Sequence, residues 1–177
     1  MNIRRKYIRE LASRLLLETD IRRPPISVEE IARHRGVVVQ KHSVEAKVSG
    51  FLYRNSANGQ AVIGVNKLQH PNRQRFTIAH ELGHLLLHSG DDVHVDIAFT
   101  IKLRDQRSST GTDTEEMESN LFAAELLMPI HFLQEDLKRL GDLDLLDEQI
   151  VTKLASTYRV SSHAMAVRLS HLGYLHV

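Results

Sequence analysis

Three residues of this chain have types and spacing suited to metal chemistry: His80, Glu81 and His84, in the pattern H-E-x-x-H. On an α-helix, residues four apart lie one turn apart on the same face. Two imidazoles so placed can hold one metal ion, and the glutamate between them can take a proton from a water that the ion activates. With 11 histidines and 12 glutamates in 177 residues, the pattern arises by chance in roughly 5% of such chains, so its context decides. Ile78, Ala79, Leu82, Leu85, Leu86 and Leu87 surround it. A helix apolar on most of its circumference is normally buried, and buried histidine and glutamate need partners or a metal. The run therefore points to a metal site rather than to a solvated face.

A catalytic zinc site takes three protein ligands and leaves a position for water. The longer pattern H-E-x-x-H-x-x-G-x-x-H would place glycine at 87 and histidine at 90; Leu87 and Gly90 exclude it. His88 lies four residues past His84, but one straight helix cannot wrap three side chains around a single ion, so His88 suits a supporting, capping or substrate-facing position. The cluster Glu115, Glu116 and Glu118, just ahead of Leu121-Phe122-Ala123-Ala124, is a better source of the third ligand. Ala123 and Ala124 suit close helix packing, and a glutamate one turn earlier can then reach the ion. Acidic residues also favour helix N-termini, which accounts for part of the cluster and leaves the choice of ligand open.

Positioning these groups requires a particular succession of elements. Ile3, Tyr7, Ile8, Leu11, Leu15 and Leu16 predict an amphipathic helix over residues 3–18. Pro24-Pro25 interrupts the chain, and Ser27-Val28-Glu29-Glu30 reads as a capping box opening a helix that ends before Gly36. A strand begins at Val37-Val38-Val39. Residues 50–54 and 61–66 read as two strands joined at Asn58-Gly59 in a hairpin. The metal helix spans about 72–88, with Pro71 at its start. Residues 89–114 read as loop with one strand near Val93, a segment expected to be mobile and to form a flap over a cleft. A helix from Thr114 ends at Pro129, and another follows near residues 130–140. Two short helices close the chain, with Ser161 as the N-cap of the second.

Composition is that of an ordinary globular protein, 42% hydrophobic and 25% charged, with net charge +1. That balance gives no case for a protein that coats nucleic acid, and Arg4-Arg5-Lys6 reads as part of a solvated helix face. Absence of cysteine excludes disulfides and thiolate ligands, so a metal must use histidine and carboxylate. No signal peptide and no bilayer-spanning apolar run is present, so a soluble cytoplasmic protein is expected. Length suits one domain with a small appendage, expected as residues 1–142 around the metal motif and a helix-turn-helix-like helical subdomain over residues 143–177.

R-F-T-I-A-H-E-L-G-H-L-L-L-H at 75–88, followed by E-E-M-E-S-N-L-F-A-A-E-L-L-M-P at 115–129, resembles the ImmA/IrrE family of metallo-endopeptidases. With the strands before them, the resemblance covers roughly residues 25–130. It implies a gluzincin-like site, in which the third ligand is a glutamate followed four residues later by an Asn or Asp that orients a ligand histidine. Glu116 and Asn120 have that spacing; Glu118 is the alternative ligand. The alanine usual before this Asn is Ser119 here. The implied fold class is α+β: a small antiparallel or mixed sheet of about three strands on a mainly helical gluzincin-like core, with a C-terminal helix-turn-helix-like appendage.

The implied chemistry is Zn²⁺-dependent peptide hydrolysis, with His80, His84 and Glu116 as ligands and Glu81 as general base. Mn²⁺ or Fe²⁺ could occupy the same donors. Tyr53, His88 and His131 are the possible oxyanion donors. A peptide substrate needs a backbone template, and Ile63, Gly64 and Val65 supply it if their strand lies at the sheet edge; an interior strand fits the sequence equally. By resemblance, the substrate is a helix-turn-helix repressor of the Xre type encoded nearby. The alternative is a non-proteolytic, metal-stabilised partner of a repressor or of a toxin–antitoxin pair. The tail at 154–169 has a helix-turn-helix pattern but offers only Arg168, with His163 and His171, as cations on its second helix. Protein docking therefore fits better than DNA contact.

Overall fold

Apolar spacing builds the helices that enclose the metal motif. In the computed structural model, residues 3–55, 57–89, 93–97, 110–140 and 148–175 are described. Helix α1 (Arg5–Glu18) buries Ile8, Leu11, Ala12, Leu15 and Leu16, one stripe of its surface. Helix α2 (Val28–His34) buries Val28, Ile31 and Ala32. The Ser27 side chain makes no capping hydrogen bond, so the expected capping box is not formed. Gly36, at φ +73°, then reverses the chain into β1 (Val37–His42).

Strands β2 (Val48–Asn55) and β3 (Gln60–Asn66) form the expected hairpin. Asn58 Oδ1 accepts from the Gln60 N–H at 3.0 Å, and Gly59 adopts φ +71°. The strand expected near Val93 is β4 (Val93–Ile97), and it joins the same sheet. The sheet is therefore mixed and four-stranded, in the order β1-β3-β2-β4, rather than three-stranded. β3 runs parallel to β1 and antiparallel to β2, and β2 runs antiparallel to β4.

This order corrects the expectation that Ile63, Gly64 and Val65 offer an open edge. Ile63 pairs with Val39 and Leu52, Gly64 with Gln40 and Phe51, and Val65 with Lys41 and Gly50. All three are buried, as a strand with neighbours on both sides and both faces must be. Among the described residues the edge strands are β1 and β4.

Helix α3 (Pro71–Leu87) carries the metal motif. His70 caps it, its ring nitrogen accepting from the Asn72 N–H at 3.2 Å, with Pro71 in the first turn. Helix α4 (Thr110–Leu127) crosses α3 at close range, and the reason lies inside the motif. A Cβ at Gly83 would meet Ser119 Cα and Phe122 Cδ1, each at 3.1 Å. Ala123, Leu126 and Leu127 of α4 are buried behind that contact. Helices α5 (Ile130–Leu140), α6 (Glu148–Tyr158) and α7 (Ser162–His171) complete the chain. The Ser161 hydroxyl accepts from the Ala164 N–H at 3.1 Å, as its place at the helix start predicts. Val151, Leu154, Tyr158, Met165 and Leu169 join the same apolar core as α1 and α3.

No described helix is long and apolar enough to cross a membrane. Most of the expected flap (residues 90–92 and 98–109) and the expected domain boundary near 142 lie outside the described residues.

Candidate metal centre

Helix α3 supplies His80 and His84, one turn apart and each only 3% exposed. Their Nε2 atoms face each other at 3.1 Å. Helix α4 adds Glu116, with one carboxylate oxygen 3.4 Å from His84 Nε2 and the other 3.7 Å from His80 Nε2. Donor atoms of these three residues all lie within 4.8 Å of one another. Donors arranged tetrahedrally at about 2.0–2.1 Å from an ion are separated from each other by roughly 3.3–3.4 Å. The observed separations bracket that value, and the donor set, two imidazoles and a carboxylate, is one that suits a divalent metal.

Protonation also fits. Burial pushes the His80 pKa down to about 3, reinforced by the neighbouring His84. Burial likewise lowers that of His84. Both imidazoles are thus neutral at physiological pH, as metal ligands must be. Asn120 lies one turn beyond Glu116, and its Oδ1 is 3.1 Å from His80 Nδ1. An amide oxygen only accepts, so Nδ1 carries the proton and Nε2 turns its lone pair to the donor cluster.

Glu81 is fully buried beside this cluster. Its Oε2 lies 3.1 Å from Nδ1 of His94, a β4 residue whose Nε2 lies 3.3 Å from Glu116 Oε1. The His94 ring also lies 4.0 Å from that of His84. Both partners of His94 are carboxylates, so it donates to both only as the imidazolium. Burial opposes that charge, but the hydrogen bonds to Glu116 and Glu81 outweigh it and push the pKa up to about 9. Sequence reasoning missed His94. The only signal was alternation in Val93-His94-Val95: with Val93 and Val95 exposed, His94 had to face the other side of the strand.

The remaining expected residues lie elsewhere. Glu118, the alternative ligand, is turned to Arg4. It accepts from the Arg4 backbone N–H at 2.9 Å and from its guanidinium, and this holds its pKa low. Arg4 is therefore not simply part of a solvated face. His88 follows the last turn of α3, its Nε2 3.8 Å from Glu118, and burial lowers its pKa. Its ring centroid lies 5.8 Å from that of His84. Tyr53 lies on β2 opposite Val93 and is partly exposed. His131 is exposed on α5, edge-on to Phe132. Arg54 donates to the His84 carbonyl at 2.8 Å, tying β2 to the C-terminal end of α3.

A buried H-E-x-x-H helix facing a carboxylate donor on a second helix defines the class: a metallopeptidase. Within that class, the chain belongs to the Peptidase_M78 family, the IrrE N-terminal-like domain, whose pattern matches residues 32–170. It is 30% identical over 148 residues to the metallopeptidase ImmA of Bacillus subtilis, an alignment covering 83% of this chain and 77% of that protein. It is 39% identical over 82 residues to the radiation response metalloprotease IrrE of Deinococcus radiodurans, covering 45% of this chain but 23% of IrrE. A Mycobacterium tuberculosis protein described as a transcriptional regulator shares the fold, with a TM-score of 0.64 at 20% identity. That match covers 93% of this chain and 46% of the other.

Proposed function

We propose that this chain is a zinc-dependent endopeptidase with a gluzincin-like site, cleaving a helix-turn-helix repressor of the Xre type. The observation that carries the hydrolytic reading is Glu81. A metal site that only stabilises a fold has no use for a second, fully buried carboxylate beside its ligands. His80, His84 and Glu116 would hold the ion, which supplies Lewis acidity to a water and to the scissile carbonyl. Asn120 keeps His80 in the tautomer that presents Nε2. Glu81 accepts the proton of the attacking water and returns it to the leaving amine. His94 is a positioning residue: its Nδ1 holds Glu81 Oε2 at 3.1 Å, fixing where the carboxylate accepts.

With β3 interior, β4 is the edge strand beside the site among the described residues, and an edge-strand backbone can pair with a peptide. The repressor as substrate is supported by kinship to the ImmA/IrrE family. The test is co-incubation of Zn²⁺-loaded protein with the neighbouring repressor, with and without chelator. Glu81→Gln is expected to keep its metal and lose cleavage by at least about two orders of magnitude. Full activity in Glu81→Gln would remove the general-base assignment. Chelator-insensitive binding without cleavage would favour the non-proteolytic partner instead.

A further inference from the structure

A cavity of about 720 Å³ opens from the donor cluster, with His80, Glu116 and Asn120 in its wall, and runs between α3, α4 and α7. Its apolar surface comes from Phe76 and Leu121 on the two metal-bearing helices and from Ala164 and Val167 on α7. Away from Glu116, the charged side chains among the described lining residues are cationic. Arg5 and Arg73 contribute cations and His163 and His171 titratable imidazoles. Arg168 also lines it, but its charge is neutralised by Glu125. Among the described residues that line it, the only carboxylate is Glu116, which belongs to the donor set.

The same arrangement redefines the C-terminal helices. Arg168, the only arginine on the second helix of the helix-turn-helix-like pair, is 3% exposed. It is committed to both oxygens of Glu125 at 3.0 and 2.6 Å and to the Met128 carbonyl at 3.1 Å. A buried, paired arginine cannot read a base or a phosphate. Ala164, Val167 and His171 lie at helical spacing on one face of α7, and that face lines the cavity. The helix is thus fastened by its arginine and presents its small and apolar residues to the space beside the metal donors.

We propose that this cleft is the substrate-recognition groove. It takes a peptide segment bearing a bulky apolar side chain next to one or more carboxylates, with α7 as the reading wall. The assignment rests on the peptidase reading above, because the groove is continuous with that site. Apolar lining accepts the side chain, and the cationic part of the lining, away from Glu116, favours flanking carboxylates over basic segments.

Two labelled peptides with the same apolar centre, one flanked by Asp and Glu and the other by Lys and Arg, test it by fluorescence anisotropy with the Zn²⁺-loaded full chain. The acid-flanked peptide is expected to bind about ten-fold more tightly. Val167→Asp and His171→Glu, two separate changes at exposed positions of α7, should each narrow that gap while metal content stays constant. Equal binding of the two peptides, a gap that neither variant moves, or displacement of the peptide by duplex DNA overturns the proposal. Acid preference without any cleavage upholds the groove and removes the hydrolytic reading. Cleavage without acid preference does the reverse.

Discussion

Three of the four glutamates on helix α4 lie against very different neighbours. Glu118 and Glu125 meet arginines: Arg4 for the first, Arg168 and Arg9 for the second. Glu116 meets His80 and His84, which burial keeps neutral, and His94, which it helps to charge. A guanidinium is a permanent cation that matches a carboxylate with two parallel hydrogen bonds. Such pairs join α4 to the N-terminal segment and to α7. The neutral imidazoles of His80 and His84 bring lone pairs instead of charge, so the face of the helix that carries Glu116 offers a divalent cation a place that the arginine-paired faces do not. The face each occupies on one helix thus separates carboxylates that fasten the fold from the carboxylate beside the two histidines.

The contrast breaks most visibly at Glu125. Glu125→Ala would leave Arg168 buried without its counter-charge, at a cost of about 3–5 kcal/mol, read as a lower urea midpoint in metal-free protein with metal affinity unchanged. An unaltered midpoint would mean that the α4–α7 seam does not depend on this pair. Glu116→Ala should instead weaken Zn²⁺ binding by more than about 100-fold, and in metal-free protein it should remove part of the stability that His94 contributes below pH 6.5. The matched variant Glu118→Ala should cost roughly 1 kcal/mol of stability, the modest value reflecting the partly exposed Arg4. Its Zn²⁺ affinity should not move; if it fell as far as in Glu116→Ala, the donor assignment would shift to Glu118.

A finer probe is Asn120→Ala. Freeing the His80 tautomer should reduce Zn²⁺ affinity about 10- to 100-fold, measured by competition with a chromophoric chelator.

The last contrast is in pH. Lowering of the His80 pKa to about 3 means that its contribution to the metal-free fold is complete above 6.5 and is lost as pH falls towards about 3. His94 has the opposite sign: raised to about 9, it contributes fully below 6.5 and loses that contribution as pH rises through about 9. Melting temperatures across pH should therefore fall on both sides in the metal-free chain. His94→Ala should abolish the alkaline loss and leave the acid one. An alkaline limb that survives in His94→Ala would detach His94 from the two carboxylates.

Helices α1 to α3 and the hairpin were legible because local spacing decides them. Four-residue repetition of apolar side chains marks one helix face, and Asn58-Gly59 marks a tight turn. The pairing of His80 with His84 is of the same kind, since both lie on one helix a turn apart. Glu116 and Asn120 share that spacing, but which glutamate of the cluster faces α3 follows from the angle of α4. That approach depends on Gly83 and Ser119 allowing the two helices into close contact, a pair that the small residues Ala123 and Ala124 do not reveal.

What no local pattern could decide was pairing between distant segments. β3 reads equally as edge or interior until β1 is seen beside it. His94 is one histidine in a five-residue strand, and only the pairing of β4 with β2 carries it over Glu81. Arg168 looks like a cation available to a ligand until Glu125, 43 residues away, claims it. The physical reason is common to all three cases. Helical periodicity is set within a turn by backbone geometry, while strand order and buried ion pairs are chosen by the collapse of the whole chain, where desolvating a charge is tolerated only if its partner arrives with it.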